Sequence, residues 1–434
     1  MSAPTLHPAP HSTPHSAAHP DWPTLGDIEA AAARIADGVI DTPLRHAPRL
    51  SELTGADVWL KLETFQFTSS FKERGALNRL LTLPEGHAGQ GVIANSAGNH
   101  AQGLAQHARR LGRAATIVMP RGTPFSKIRA TEALGARVVL AGNNVDEAGA
   151  EMRRIAEAEG LVIVHPFDDP AIVAGQGTIA LEMLRARPGL DALLVPIGGG
   201  GLISGIAIAA KALKPSIRVI GVQAALFAGM LTALGRPAPN AGGATIAEGI
   251  AVKQPGALTR RIVAGLVDQI VAVEETAIEA AVQQFAEVEK LVVEGAGAAP
   301  LAALLSHPLG LAGRQVGLVV SGGNIDSNML SSILMRGLVR EGRLARLRIE
   351  LQDRPGALAE VATIIGNSGA NIVEVEHLRL FYDLPVKVTS CEFVLELRDR
   401  PHRQRIMQAL LDGGFVVEVI QDTAHPLPAA PVAR

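Results

Sequence analysis

Nine short apolar runs alternate with longer segments of helical periodicity between about residues 25 and 340: VWLKLE, GVIANS, ATIVMP, ARVVLAG, LVIVHP, DALLVPIG, IRVIGVQ, QIVAVEE and QVGLVVSGG. Several are apolar on both faces, which suits parallel strands covered by helices on two sides; a strand with one wet face would alternate. The expected class is α/β, a layered body with parallel-rich sheets and helices on both faces. A chain of 434 residues, 47% of them hydrophobic, can bury the core that two or three such units need. The longest apolar stretch, VIGVQAALFAGMLTALG from Val219, approaches the length of a membrane span, but Gln223 and internal glycines interrupt it. It reads as a buried strand over residues 217–223 followed by a helix.

Composition changes near residue 340, where LVREGRLARLRIEL runs from a helix into a strand through a basic link. Beyond it come strand RLRIEL, helix ALAEVATIIGNSG, strands NIVEVEHLRL and VTSCEFVLELR, helix HRQRIMQALLDGG and strand FVVEVI. That βαββαβ order is the split, ferredoxin-like arrangement, and it carries no catalytic constellation. The expected division is a disordered leader over residues 1–24, a catalytic region over 25–340, the βαββαβ domain over 341–424 and a disordered tail over 425–434. The leader lacks the apolar core and early positive charge of a secretory signal, so a cytoplasmic location is expected. His7, His11, His15 and His19 recur every four residues there, but Pro8, Pro10, Pro14 and Pro20 forbid the helix that would align them as metal ligands.

Forty basic residues against 42 acidic ones leave a net charge of -2, with no global field to draw in nucleic acid or an anionic membrane. The expected partners are small molecules and further copies of the chain. Cys391 is the single cysteine, which fits a reducing compartment and a small buried position in a strand.

In α/β sheets ligands collect beyond the carboxyl ends of strands, so the residues that follow each run are where chemistry is sought. In LLVPIGGGGLISG a strand ends at Ile197, four glycines fill residues 198–201 and a helix begins; amides free of side chains at a helix start can cradle a phosphate. The loop is neither a dinucleotide fingerprint, whose sixth position would fall on Ile203 or Ser204, nor a P-loop, which needs lysine where Ile206 stands. ANSAGNHAQG, residues 94–103, offers hydroxyl, amide and imidazole donors at a helix N-terminus, a place for a carboxylate, although Ser96 and Asn99 could also be plain helix caps. VVSGGNIDSN, residues 319–328, sets Ser321 directly after an apolar strand, facing a ligand atom or simply opening a turn with Gly322 and Gly323. Taken alone, SSFKERGA at residues 69–76 is no more than an amphipathic helix start, with Ser69 or Ser70 as N-cap and Lys72 in solvent.

Together, SFKERGA, SAGNHAQG, GGGGLISG, AEGIAV, VEGAGA and SGGNID stand in the order found in the serine/threonine dehydratase family of fold type II pyridoxal-phosphate enzymes. The C-terminal segment with DRPGALAEV resembles an ACT domain, and the two resemblances cover nearly the whole chain except its tails. They imply a two-domain, tryptophan synthase β-like catalytic region, with a smaller subdomain of about residues 60–165 inserted in the larger one, followed by a regulatory ACT domain.

The resemblance implies pyridoxal 5'-phosphate as cofactor and Lys72 as the Schiff-base lysine, with Phe71 packed against the cofactor ring. Asn99 would bond the ring hydroxyl, the backbone of Gly198, Gly199, Gly200, Gly201 and Leu202 would hold the phosphate, and Ser321 would face the pyridine nitrogen. Ser96, Asn99 and His100 would grip the substrate carboxylate. The implied reaction is β-elimination of L-threonine to 2-oxobutanoate and ammonia, with L-serine giving pyruvate. Burial beside Phe71 would disfavour the ammonium form of Lys72, as a nucleophile and base requires. A neutral hydroxyl at Ser321 cannot hold the pyridine nitrogen strongly protonated, which favours prompt loss of a β-leaving group.

Two departures narrow the alternatives. Position 97 is alanine where racemases of the family carry a second serine, so elimination is favoured over serine racemisation. Position 223 is glutamine where metal-dependent members carry a glutamate ligand, so no metal is expected. Serine and 3-hydroxyaspartate share the β-hydroxyl and remain as alternative substrates, and a non-enzymatic amino-acid sensor is the reading from another class. The ACT domain implies a regulated role in isoleucine supply, an amino-acid effector near Gly356 and Asn371, and a homodimer or homotetramer.

Overall fold

The computed structural model describes residues 22–87, 89–239, 242–378 and 388–420. Residues 1–21, with the four leader histidines, and the tail beyond 420 lie outside the described residues.

The chain opens a large sheet with β1 (Leu44–His46) and β2 (Asp57–Leu62) and then leaves it. It builds a second sheet from β3 (Val92–Asn95), β4 (Ala115–Met119), β5 (Arg137–Leu140) and β6 (Val162–Ile163), in the order β5-β4-β3-β6 and all parallel. It returns through β7 (Ala192–Pro196), β8 (Arg218–Ala224), β9 (Gln269–Val273) and β10 (Gln315–Val320). The large sheet then reads β1-β2-β10-β7-β8-β9, with only the edge strand β1 antiparallel. Each of the nine apolar runs holds one strand, from β2 to β10. The sequence LRH of β1 escaped notice because it carries no apolar pattern, Arg45 and His46 both being exposed.

Burial explains the apolar runs. All five residues of β7 are buried, and residues 316–320 of β10 are as well. Leu194 and Leu318 belong to the core on one face of the large sheet, and Leu193 and Val319 to the core on the other. Helix Pro170–Ala186 packs closely on helices Lys72–Leu81 and Gly201–Leu213. Glycines make this approach possible: a Cβ on Gly175 would stand 2.7 Å from the carbonyl oxygen of Arg74, and one on Gly205 only 2.2 Å from that of Val173.

The run from Val219 divides as its residues suggest, into β8, a short turn over Ala225–Phe227 and the helix Gly229–Ala233. Among the described residues no helix is long and apolar enough to cross a membrane.

After helix Ser327–Glu341, Gly342 takes a left-handed conformation (φ 74°) and turns the chain into a separate antiparallel sheet. Its strands are β11 (Leu344–Gln352), β12 (Asn371–Leu378), β13 (Val388–Glu396) and β14 (Val416–Val419), in the order β12-β13-β11-β14. Helices Ala357–Asn367 and Arg400–Asp412 complete the βαββαβ order. Along β11, Ala345, Leu347, Ile349 and Leu351 pack into one core with Val361, Ile365, Ile406 and Leu410 of those helices. Cys391 lies in that core, fully buried. Arg346 and Arg348, on the alternate positions of β11, instead pair with Glu392.

Candidate active site

Strands β2, β10 and β7 are adjacent and parallel, so their carboxyl ends open along one edge. That adjacency gathers three segments distant in sequence: the Lys72 loop after β2, Ser321 after β10 and the glycine loop after β7. The loop after β3, residues 96–100, closes the fourth side from the small sheet. Together they line a cavity of about 400 Å³ whose walls include Lys72, Asn99, Gly200 and Ser321.

The loop that carries Lys72 is stitched to the end of β10. Phe71 N–H donates to the Ser321 carbonyl at 3.1 Å, Gly323 N–H donates to the Ser69 carbonyl at 2.9 Å, and Ser70 bridges Gly322. Ser69 takes a left-handed conformation (φ 53°), which non-glycine residues rarely adopt. These bonds hold it there, one turn ahead of the functional lysine.

Helix Lys72–Leu81 departs from the amphipathic expectation in both its cap and its buried face. Its N-cap is Phe71, with no side-chain cap, while the Ser70 hydroxyl accepts from Lys72 N–H at 3.2 Å. Glu73, Arg74 and Asn78 are buried beside Ala76, Leu77 and Leu80. Arg74 forks onto Glu63 and Glu182, Asn78 donates to the Ala171 carbonyl, and Glu73 accepts from Thr68 N–H through one oxygen and sets the other 3.2 Å from His107 Nε2.

Among the described residues Lys72 has no such carboxylate partner. Its Nζ donates to the Pro166 carbonyl at 2.8 Å and lies 5.3 Å from the centre of the Phe71 ring. Burial pushes its pKa down to about 8, against the opposing pull of Glu294. A sizeable fraction of the amine is therefore unprotonated near neutral pH, so it can attack an aldehyde or take a proton.

The carboxylate loop leads into helix Asn99–Arg110, whose N-cap is Gly98 with no side-chain cap. Ser96 is not the cap; its hydroxyl accepts from Gly98 N–H at 3.3 Å and shapes the turn. The uncapped first turn suits a carboxylate. His100 is buried, with Nε2 3.0 Å from the Val164 carbonyl, and burial, helped by the Lys72 charge, pushes its pKa down to about 3. It is a neutral imidazole fixed to the small sheet. The Asn99 amide donates to Glu294 Oε1 and accepts from Asn324, each at 2.8 Å.

Gly200, with φ 100°, is the N-cap of helix Gly201–Leu213, again without a side-chain cap. The Gly199 carbonyl is pinned by the Thr259 hydroxyl at 2.6 Å and Gly256 N–H at 3.2 Å. A Cβ on Gly199 would lie 2.3 Å from the Phe167 ring, so the loop needs glycine for packing as well as for bare amides. Gly198 and Leu202 line the same wall. An uncapped helix start for a phosphate, a lysine of lowered pKa and the buried hydroxyl-bearing Ser321 fit pyridoxal phosphate.

Several site residues received no role from the sequence. Glu294 lies in VEGAGA, Glu248 in AEGIAV and Asn324 in SGGNID, so the motifs were legible while the roles of these members were not. Lys127 lies in none of them, yet it lines the cavity and pairs with Glu248 at its mouth. Gln223 uses its amide within its own loop, donating to the Phe227 carbonyl at 3.2 Å and accepting from Leu231 N–H at 3.0 Å. In the C-terminal domain, Gly356 (φ 89°) precedes helix Ala357–Asn367, and Asn371 opens the edge strand β12 with its amide on Glu396.

Comparison with known proteins gives the same picture. Residues 35–322 match the family model described as pyridoxal-phosphate dependent enzyme, and residues 341–419 match an ACT domain. The chain is 45% identical over 399 residues to an L-threonine ammonia-lyase of Thermotoga maritima, covering 92% of this chain and 99% of that protein. Among solved structures, a processed threonine deaminase isoform from Solanum lycopersicum aligns with a TM-score of 0.67 at 36% identity, over 72% of this chain and 86% of that one. A maize serine racemase aligns with a TM-score of 0.67 at 35% identity, over 73% and 98%. Fold, cavity and sequence thus agree, and the chain belongs to the pyridoxal-phosphate dependent enzymes, with an ACT domain following its catalytic region.

Proposed function

We propose that the chain is a threonine ammonia-lyase, converting L-threonine to 2-oxobutanoate and ammonia and L-serine to pyruvate. The observation that carries this reading is Lys72, a half-buried amine without a carboxylate partner among the described residues, in a cavity bounded by two uncapped helix N-termini. Bound pyridoxal phosphate supplies the electron sink for the bond broken at Cα. Lys72 would hold the cofactor through its amine and would take the substrate's α-proton at Nζ. The first-turn amides behind Gly98, with Ser96, Asn99 and His100 in the same loop, orient the substrate carboxylate. The amides of residues 198–202 would hold the phosphate, Phe71 would shield the amine from water, and the Ser321 hydroxyl would leave the ring nitrogen weakly protonated.

Elimination is favoured over racemisation because Ala97, also in the cavity wall, has no hydroxyl to protonate the opposite face. The ACT domain supports amino-acid regulation, with Gly356 and Asn371 as the effector positions, and a biosynthetic role in isoleucine supply in a cytoplasmic homodimer or homotetramer.

Incubation of the cofactor-loaded protein with L-threonine, L-serine and L-threo-3-hydroxyaspartate, with and without isoleucine or valine, tests the reading. Oxo acid and ammonia released fastest from threonine are expected. D-serine as main product, preference for hydroxyaspartate, or no product from any of the three would overturn it.

A further inference from the structure

We propose that Glu294 is a positioning residue that fixes which end of the Asn99 amide faces the cofactor. The proposal rests on the function above only in taking the cavity to hold pyridoxal phosphate.

The two ends of an asparagine amide have nearly the same shape, so partners decide its orientation. Here the partners form a relay whose direction is set at its ends. The Thr68 carbonyl can only accept, and it accepts from Asn324 Nδ2 at 2.7 Å. The same nitrogen donates to Asn99 Oδ1 at 2.8 Å, which turns Asn99 Nδ2 the other way, onto Glu294 Oε1 at 2.8 Å. One N–H of Asn99 is thus used by the carboxyl, and the second is left for the cavity that Asn99 lines. A phenolic oxygen on a bound ring would meet a donor there, not a carbonyl.

Separate parts of the chain make room for this contact. A Cβ on Gly322 would stand 2.6 Å from Glu294 Oε1 and 3.2 Å from Asn99 Nδ2, and one on Gly249 would stand 3.2 Å from the same carboxyl oxygen. Glu294 N–H donates to the Gly322 carbonyl at 3.1 Å, which ties the carboxyl's own backbone to the end of β10. Glycines in AEGIAV and SGGNID are thereby explained by a glutamate in VEGAGA. The charged groups that act on Glu294 are Lys72 inside the cavity and the Lys127 and Glu248 pair at its mouth. Burial pushes the Glu294 pKa up to about 7, with the Asn99 bond and Lys127 opposing it, so the anchor changes charge near neutral pH while keeping an accepting oxygen.

The test uses the substrate-free holoenzyme in the native, Glu294→Gln, Glu294→Ala, Asn99→Ala and double-alanine forms. Two quantities are read: the dissociation constant for pyridoxal phosphate and the visible absorbance between pH 5.5 and 8.5. Native protein is expected to show a spectral inflection near pH 7. Glu294→Gln, which keeps an acceptor but cannot titrate, should hold the cofactor within about threefold of native and lose that inflection. Glu294→Ala should loosen the cofactor by roughly tenfold or more, the scale of one lost bond to a charged group. Adding Asn99→Ala to it should change little, because the two residues act as one unit. Native affinity and spectrum in Glu294→Ala, additive losses in the double variant, or an inflection that persists in Glu294→Gln would overturn the proposal. Should Glu294→Ala fail to fold, the Glu294→Gln inflection decides alone. Glutamate-dependent spectra in a protein that does not turn over threonine would sink the lyase reading and leave Glu294 in its role.

Discussion

Lys72 and Arg74 stand two residues apart on one helix turn, both cationic and both in surroundings poor in water, yet they are driven in opposite directions. Burial opposes the charge of each. At Arg74 the carboxylates of Glu63 and Glu182 outweigh it, and the guanidinium is held above its ordinary range. At Lys72 the polar contact among the described residues is a backbone carbonyl, Glu294 acts on it without an ion pair, and the pKa falls to about 8. One tripeptide thus supplies a compensated charge that anchors the helix and an uncompensated one that is available for chemistry. Pairing separates the structural cation from the reactive one on this helix, and the same contrast extends to Lys61, buried against Glu182 and the Thr42 carbonyl.

Substitutions on the two sides of this contrast should therefore fail in different ways. The largest effect is expected for Lys72→Ala, which removes the amine proposed to hold the cofactor and to take the α-proton. Turnover of threonine should fall by at least roughly 10²–10⁴, the share general base catalysis alone contributes, while urea unfolding shows no loss of stability. Next comes Arg74→Met, which leaves Glu63 and Glu182 as buried carboxylates without their guanidinium. Urea titration should show a loss of about 3–5 kcal/mol, and a loss below about 1 would mean that the pairing is not what holds this helix.

The third effect is a slope with pH. In the unfolded chain Lys72 keeps its proton up to its ordinary 10.5, whereas in the folded apoprotein it releases it at about 8. The unfolded state then binds more protons between those values, so apoprotein stability should rise with pH across that window. Lys72→Met should remove that part of the slope, which chemical denaturation of both forms at several pH values would show. The smallest effect belongs to the partly exposed pair of Lys127 and Glu248 across the cavity mouth. Lys127→Met should change stability by less than about 1 kcal/mol, because exposed pairs contribute little. A larger loss would show that the mouth, like Arg74, is held by its charges.

Much of the fold was legible in the sequence because strands buried on both faces must be apolar throughout, and β2 to β10 are. What escaped, β1, pairs through its backbone with side chains in solvent and leaves no mark in composition. Lys72, Asn99, Ser321 and the glycines of residues 198–201, which line one cavity, stand out in the sequence because they follow strand ends or stand in recognisable motifs. The roles of Glu294, Asn324, Glu248 and Lys127 were not legible, since each depends on a partner more than a hundred residues away along the chain or on a turn that only folding brings close. The polar helix Lys72–Leu81 shows the limit most clearly. Its charged residues predict a solvated face, and only the positions of Glu63, Glu182 and His107 reveal why they are inside.

Reductive trapping tests the central claim most directly. The apoprotein is mixed with pyridoxal phosphate at a series of pH values, reduced with borohydride and mapped by peptide mass spectrometry. A half-buried amine of lowered pKa predicts that the pyridoxyl group falls on Lys72, that its yield at short times rises through pH about 8, and that Lys61 stays unmodified. Labelling spread over surface lysines with Lys72 untouched, or equal labelling of Lys61, would contradict it.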